Sequence, residues 1–323
     1  MICVINLQKC TLKNGFRESL FNRERTDFQM EELLAIFCDT DDFCKEYEEY
    51  CTHHLLVSRE EIIPQTRMYL SEIMTIVIYF HLSHYRTFKW YYKYYVEKIL
   101  KPYFPKLVSY NRFVEIMRMA IVPMTLYLIG KRFGKCTGIN FVDSTTLDVC
   151  DTHRVHCHKV FKGFADWGKG SMGWFYGFKL HLAINEQGEI LSFCLTSGNV
   201  DDRNLKVMEH LTKKMYGKLF ADRGYISEKL FTRLLKNNVT LITKIKKNMK
   251  NKLVKMNDKL LLRKRAVIES VNDFLKNICQ IEHTRHRSVD NFLVNLIAGM
   301  IAYTFLPKKP SLIQHDRKAL VQY

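Results

Sequence analysis

The hydrophobic pattern changes period once, near residue 135, and that change restricts the fold more than any other property of the chain. Before it, apolar residues recur mostly at intervals of three and four. Leu33, Leu34, Ile36, Phe37, Phe43 and Tyr47 do so within 31–50, and Ile73–Phe80 and the aromatic run Tyr85–Tyr95 follow. Such spacing collects apolar side chains on one helix face. Beyond Gly130, Gly134 and Gly138, Ile139–Val142, Trp174–Ile184 and Glu189–Leu195 read as strands, the last two joined by the turn Asn185-Glu186-Gln187-Gly188. Helices over 204–215 and 227–237 then alternate with strands over 218–221 and 239–243. The order strand, strand, strand, helix, strand, helix, strand describes a mixed α/β sheet covered by helices, downstream of an all-helical region.

The 323 residues are enough for this organisation and a substantial core. Four parts are expected: a divergent or poorly ordered leader at 1–30, a helical region at 31–135, the α/β domain at 136–310 and a tail at 311–323. In the helical region Ser71 is the expected cap of one helix and Ser109 or Asn111 of another. Short helices with turns between them suit either a helix-turn-helix-like unit with a basic, aromatic DNA-facing side or a bundle whose tyrosines are packing residues. After residue 243 an amphipathic helix is expected over Leu262–Cys279, with Val267, Val271, Phe274, Leu275 and Ile278 inward, then a buried helix over Asn291–Phe305.

Charge narrows the partner. Fifty Lys and Arg against 33 Asp and Glu leave +17, which points to a polyanion. It is unevenly placed: 236–265 holds eleven basic residues and one acid, Asp258, whereas 31–50 holds eight acids against Lys45. Ile73–Phe80 and Phe292–Leu306 fall short of the roughly 20 apolar residues of a bilayer crossing, so no membrane partner is expected. The start has no basic n-region or long apolar stretch of a secretory signal, and ten scattered cysteines suit reduced thiols in a cytoplasmic protein.

Asp143 in FVDST and Asp222 in LFADRG each follow a short apolar strand, where a carboxylate is held by the sheet yet faces a crevice. Glu269, on the amphipathic helix, could complete the set. Three carboxylates amid lysines and arginines suit phosphoryl chemistry. Mg2+, with Mn2+ as a substitute, would take their oxygens, and two such ions could activate the attacking oxygen and steady the leaving one. Aspartates after strands are also common in turns. Asp148 and Asp151 are read as lying in a loop without an apolar strand before them, and Asp201 and Asp202 as loop or cap groups. The cluster Cys150, His153, His156, Cys157 and His158 has zinc-ligand chemistry, but its spacing matches no ordinary finger and no distal CxxC pair completes it.

These blocks resemble bacterial insertion-sequence transposases with a DDE catalytic domain of ribonuclease H-like fold, and look closest to the group numbered nine-eighty-two. FVDSTTLDVCDTHRVH carries the first aspartate, SMGWFYGFKLHLAIN the following hairpin, GNVDDR the next loop, LFADRGYIS the second aspartate, and LLLRKRAVIESVNDFLKNICQIEH the glutamate. In such transposases the glutamate helix carries tyrosine, arginine, glutamate and lysine at set intervals. Arg265, Glu269 and Lys276 fit, while Leu262 holds the tyrosine's place. The resemblance spans about 31–312 and implies a ribonuclease H-like sheet flanked by helices. It implies Asp143, Asp222 and Glu269 as catalytic and metal-holding residues in a bacterial, nucleoid-associated enzyme.

Such an enzyme binds double-stranded DNA at its element's inverted repeats, cuts the ends and joins their 3′-hydroxyls to target DNA, as a homodimer or larger assembly. Arg223, Arg265 and Lys276 are then expected to position phosphates, and Lys244, Lys246 and Lys247 to touch the DNA backbone. His283, Arg285, His286 and Arg287 are expected near phosphate rather than metal. A nuclease without strand transfer, or a DNA-binding protein that has lost catalysis, are the alternatives.

Overall fold

The computed structural model describes residues 30–54, 66–170, 173–244, 255–282 and 286–312. The expected leader, apart from its last residue, and Lys246, Lys247, His283, Arg285 and most of the expected tail lie outside them.

The first described element is one helix, α1 (30–54), rather than several. Leu33, Ile36, Thr40 and Cys44, spaced by three and four, are buried, while Glu31, Asp42, Glu46 and Glu49 are exposed. Helix α2 (Leu70–Phe80) is buried on every side and starts one residue before the expected cap. Ser71 lies inside it, and the Glu72 carboxylate accepts from the Tyr69 backbone N–H at 2.8 Å. Helix α3 (88–100) divides its aromatic run: Tyr91 and Tyr92 are buried, whereas Trp90 stacks on Tyr94 at the surface, with the Lys98 ammonium 4.5 Å from the Tyr94 ring centre.

Helix α4 (Tyr110–Arg132) is long and apolar enough to cross a membrane by length and composition, a test the sequence reading applied only to other segments. One of its faces is built into the protein, with Phe113, Ile116, Ala120, Met124, Tyr127 and Leu128 buried. Its last turn is tied down: Arg132 donates to Asp39 at 2.7 Å and to Thr304 at 2.8 Å, and lies over the Phe305 ring.

The sheet comprises β1 (Ile139–Cys150), β2 (Asp166–Gly170), β3 (Gly173–Asn185), β4 (Ile190–Ser197), β5 (Gly217–Ala221) and β6 (Val239–Thr243). Its path is β2-β3-β1-β5-β6, with β4 also on β3. Strands β1 to β4 pair antiparallel; β5 is parallel to both β1 and β6. Helices α5 (Leu205–Thr212) and α6 (Glu228–Lys236) are capped by the side chains of Asn204 and Ser227. The expected helix over Leu262–Cys279 is two helices, α7 (Met256–Arg263) and α8 (266–278), with a turn at Lys264 and Arg265, and α9 (Val289–Phe305) follows.

Alternation along the strands builds a core on each face. Phe141, Leu182 and Phe220 join the larger cluster with α2, α4, α8 and α9, while Val142, Ala183 and Leu219 meet Val207, Met208, Leu211, Leu230 and Leu234 of α5 and α6. The protein is therefore an N-terminal helical region followed by a mixed sheet flanked by helices, a ribonuclease H-like α/β arrangement.

Candidate functional site

Strand β1 runs twelve residues, so Asp143 lies within it and not at its end. The parallel ladder between β1 and β5 closes with Phe141 opposite Phe220, and β5 ends at Ala221. Asp143 and Asp222 are each two residues beyond that last pair, where the two strands open a crevice. Asp143 follows Phe141 onto the face covered by α8, because alternate strand residues share a face. Val267, Ile268 and Val271 of α8 pack into the same core and bring Glu269 to the edge of the crevice.

All three acids gather around Arg265, the residue in the turn before α8. Its guanidinium is 3.7 Å from Asp143 Oδ2, 3.9 Å from Asp222 Oδ1 and 2.5 Å from Glu269 Oε1. Side-chain exposure falls from 56% for Glu269 and 50% for Asp222 to 21% for Asp143 and 11% for Arg265, so the shortest pairing is with the most exposed acid and the buried Asp143 is held more loosely. Burial raises the Asp143 carboxyl to about 6, against the opposing pull of Arg265 and the Ser144 backbone; the charges of Glu269 and Asp222 add to the rise. Arg265 Nη1 is buried without a hydrogen-bond acceptor among the described residues.

The expectation of Mg2+ at this site is corrected by the geometry. Among the described residues no group of three or more His, Cys, Asp or Glu side chains is arranged to hold a metal ion. The acids instead surround a guanidinium, which stays protonated and whose charge opposes a divalent cation at the same place. The same finding removes the zinc reading of the Cys150–His158 cluster, where Cys157 is exposed and His158 stacks on Phe161.

The remaining expected contacts divide. Arg223 and Arg287 are exposed, and Lys244 is exposed at the end of β6. Lys276 is paired with Glu282 at 3.2 Å, and Glu282 accepts from the Asp148 backbone N–H at 2.9 Å, joining α8 to β1. Asp148 thus belongs to β1 and not to a loop. Asp151 is a cap, accepting from the His153 N–H.

One polar group was missed. Asp202 accepts from Ser144 Oγ at 2.9 Å and from Lys179 Nζ at 3.3 Å, and the buried His181 lies 3.9 Å away. Burial lowers His181 to about 4, so the ring is neutral near pH 7. Asp201 is held by Arg203 Nε and Nη2 at 3.0 and 2.7 Å, which keeps its carboxyl at about 2. These bonds fix the loop 198–203 beside β1 and β3. The period-two pattern hinted at this group, since Lys179, His181 and Ser144 fall on the sheet face opposite Asp143.

Residues 133–289 match the family described as Transposase DDE domain. No curated protein matches the chain. Among solved structures, the chain is similar to a piggyBac transposase seen by cryo-EM as a synaptic complex with hairpin DNA. That likeness has 10% identity and a TM-score of 0.44, over 82% of this chain and 70% of that one. The stretch 133–289 that is similar to this family covers just under half of the chain and contains Asp143, Asp222, Glu269 and Arg265.

Proposed function

We propose that this protein is a DNA transposase that recognises the terminal inverted repeats of an insertion sequence, cuts their ends and joins the freed 3′-hydroxyls to target DNA. The observation that carries the reading is the gathering of Asp143, Asp222 and Glu269 around one buried arginine inside the DDE domain. In cutting, a water oxygen attacks the phosphodiester phosphorus and the 3′ oxygen leaves; in joining, that 3′-hydroxyl attacks a target phosphorus, the target's own P–O3′ bond breaks, and its 3′ oxygen leaves as a hydroxyl. Asp143, the most buried of the acids, is the group best placed to take the attacker's proton, and Arg265 Nη1 offers an unused N–H to a phosphate oxygen. The motifs favour the group numbered nine-eighty-two.

The test is made in bacterial cells. The DNA flanking the gene is searched for paired inverted repeats, and a marker placed between them is scored for excision and for insertion into a target plasmid. The expected result is both, dependent on the intact protein. Cutting without joining supports a nuclease, and neither outcome with binding intact supports a DNA-binding protein.

Binding supplies a second measurement. Each phosphate contact contributes about 0.9 to the slope of log K against log salt. Lys244→Ala is therefore expected to make that slope shallower by about one unit; an unchanged slope removes Lys244 from the contact surface.

A further inference from the structure

Beside the crevice lies a groove of about 610 Å3 between the β2–β3 hairpin and the loop 198–203. Its volume falls in the roughly 300–1,000 Å3 range of small-molecule clefts. One wall is aromatic and cationic. Lys169 pairs with Trp174 across the hairpin and Trp167 with Tyr176, so Trp167, Lys169 and Trp174 share a face. Trp174 is 64% exposed and Trp167 39%, uncommon for the largest apolar side chain. The Lys169 ammonium is 5.9 Å from the Trp174 ring centre.

The opposite wall carries Lys179 and Arg203 with two acids, but Asp201 is held by Arg203 and Asp202 by Lys179 and Ser144. Gly168 and Gly198, both buried, let β2 and the loop 198–203 approach closely beneath the groove. A β-carbon at Gly168 would meet the Gly198 carbonyl and the Phe175 ring, and one at Gly198 would meet the Asp166 carbonyl at 2.6 Å.

We infer that this groove receives an unpaired DNA nucleotide, its base stacked on Trp174 and Trp167 and its phosphate met by Lys169. Flat exposed rings with adjoining cations are what single-stranded nucleic acid recognition uses, because every base offers a π-face and every link a negative charge. In a duplex those faces are covered by neighbouring base pairs, so the rings select a nucleotide splayed out of the helix. The groove and the crevice share chain neighbours but not a face: Asp202 is bonded to Ser144, which follows Asp143 on the opposite side of the sheet, and Gly224 in the groove's lining lies two residues after Asp222. The inference rests on the DNA-processing reading above.

The chain has three tryptophans, so Trp90→Phe leaves Trp167 and Trp174 as reporters. In that full-length background, an eight-nucleotide thymidine oligomer is expected to quench the fluorescence, and a blunt duplex much less. Trp174→Ala is expected to weaken oligomer binding, read by anisotropy of a labelled oligomer, roughly 5- to 150-fold, the loss from one base–aromatic stack. Duplex binding should change less than twofold, and Trp174→Phe should keep most of the oligomer affinity. An abasic oligomer of the same length should lose affinity by a similar factor on the unaltered protein, a check that needs no variant.

Equal quenching by both DNAs, or unchanged affinity for the abasic oligomer, overturns the groove assignment. Duplex binding without oligomer quenching overturns the groove alone and leaves the transposase reading standing. Binding of neither DNA overturns both.

Discussion

Asp143→Asn is expected to abolish strand cutting and joining while making the fold more stable at neutral pH, by at most about 3 kcal/mol. The reason is the cost of holding that carboxylate charged between the sheet and α8. Its folded-state pKa is about 6 against 3.8 ordinarily, chiefly through burial. The stability this group contributes is fully present below about 3.8, where it is protonated in both states, and is lost as pH rises through about 6. A gap of about two units at roughly 1.36 kcal/mol each sets the upper figure. Asparagine keeps the shape without the charge, so the variant does not suffer that loss. Urea unfolding at pH 3.5, 5 and 7.5 should show the variant's advantage appear only above pH 4 and level off above pH 7. Activity should fall at least 100-fold, the scale of removing one positioned electrostatic group. An acid retained at a stability cost is the signature of a functional site. A variant as active as the parent, or one less stable at pH 7.5, would sink this account.

The sequence exposed the parts whose physics is local. LFADRG shows a strand and its terminal acid because Leu219, Phe220 and Ala221 are buried on both sheet faces and leave a continuous apolar run. Asn204 and Ser227 announce their helices because a cap is a local hydrogen bond. Strand β1 was cut short at Val142 because Ser144, Thr145, Thr146 and Asp148 look like a loop. Their polarity is matched by distant partners, Asp202 for Ser144 and Glu282 for the Asp148 backbone, which no local pattern shows. Strand β2, DWGKG, has two glycines and one buried residue, Gly168, which carries no apolar signal.

The turn at Lys264–Arg265 was hidden because the apolar spacing continues through it from Leu262 to Val267. That turn matters most for the site. It delivers Arg265 among the three acids, and a sequence that displayed the carboxylates and predicted a cation between them could not show that the protein supplies the cation itself. The groove escaped for a similar reason, since Trp174 reads as an ordinary strand aromatic and Trp167 falls outside every expected strand until the hairpin places them together in solvent.

Arg265→Ala is expected to destabilise the fold by about 1–3 kcal/mol and to weaken DNA binding, and the two effects should separate. Removing one partner of a buried ion pair costs several kcal/mol because the remaining charge is left uncompensated. Here Glu269 and Asp222 are half in water and screened, so most of the loss falls on Asp143, at 21% exposure. If so, Asp143→Asn in the Arg265→Ala background should recover most of the stability, giving a coupling of roughly 0.5–3 kcal/mol in the double-mutant cycle. DNA tells the second half. Among the described residues Arg265 Nη1 has no acceptor, and a phosphate oxygen would provide one. The salt slope of DNA binding should therefore be shallower by about one unit in Arg265→Ala and should stay so in the double variant, whose fold is restored but whose cation is not. Arg265→Lys keeps the charge without the fork and should retain the slope while recovering only part of the stability. A double variant that regains both stability and slope would show Arg265 to be a strut for the acids alone, with phosphate held elsewhere.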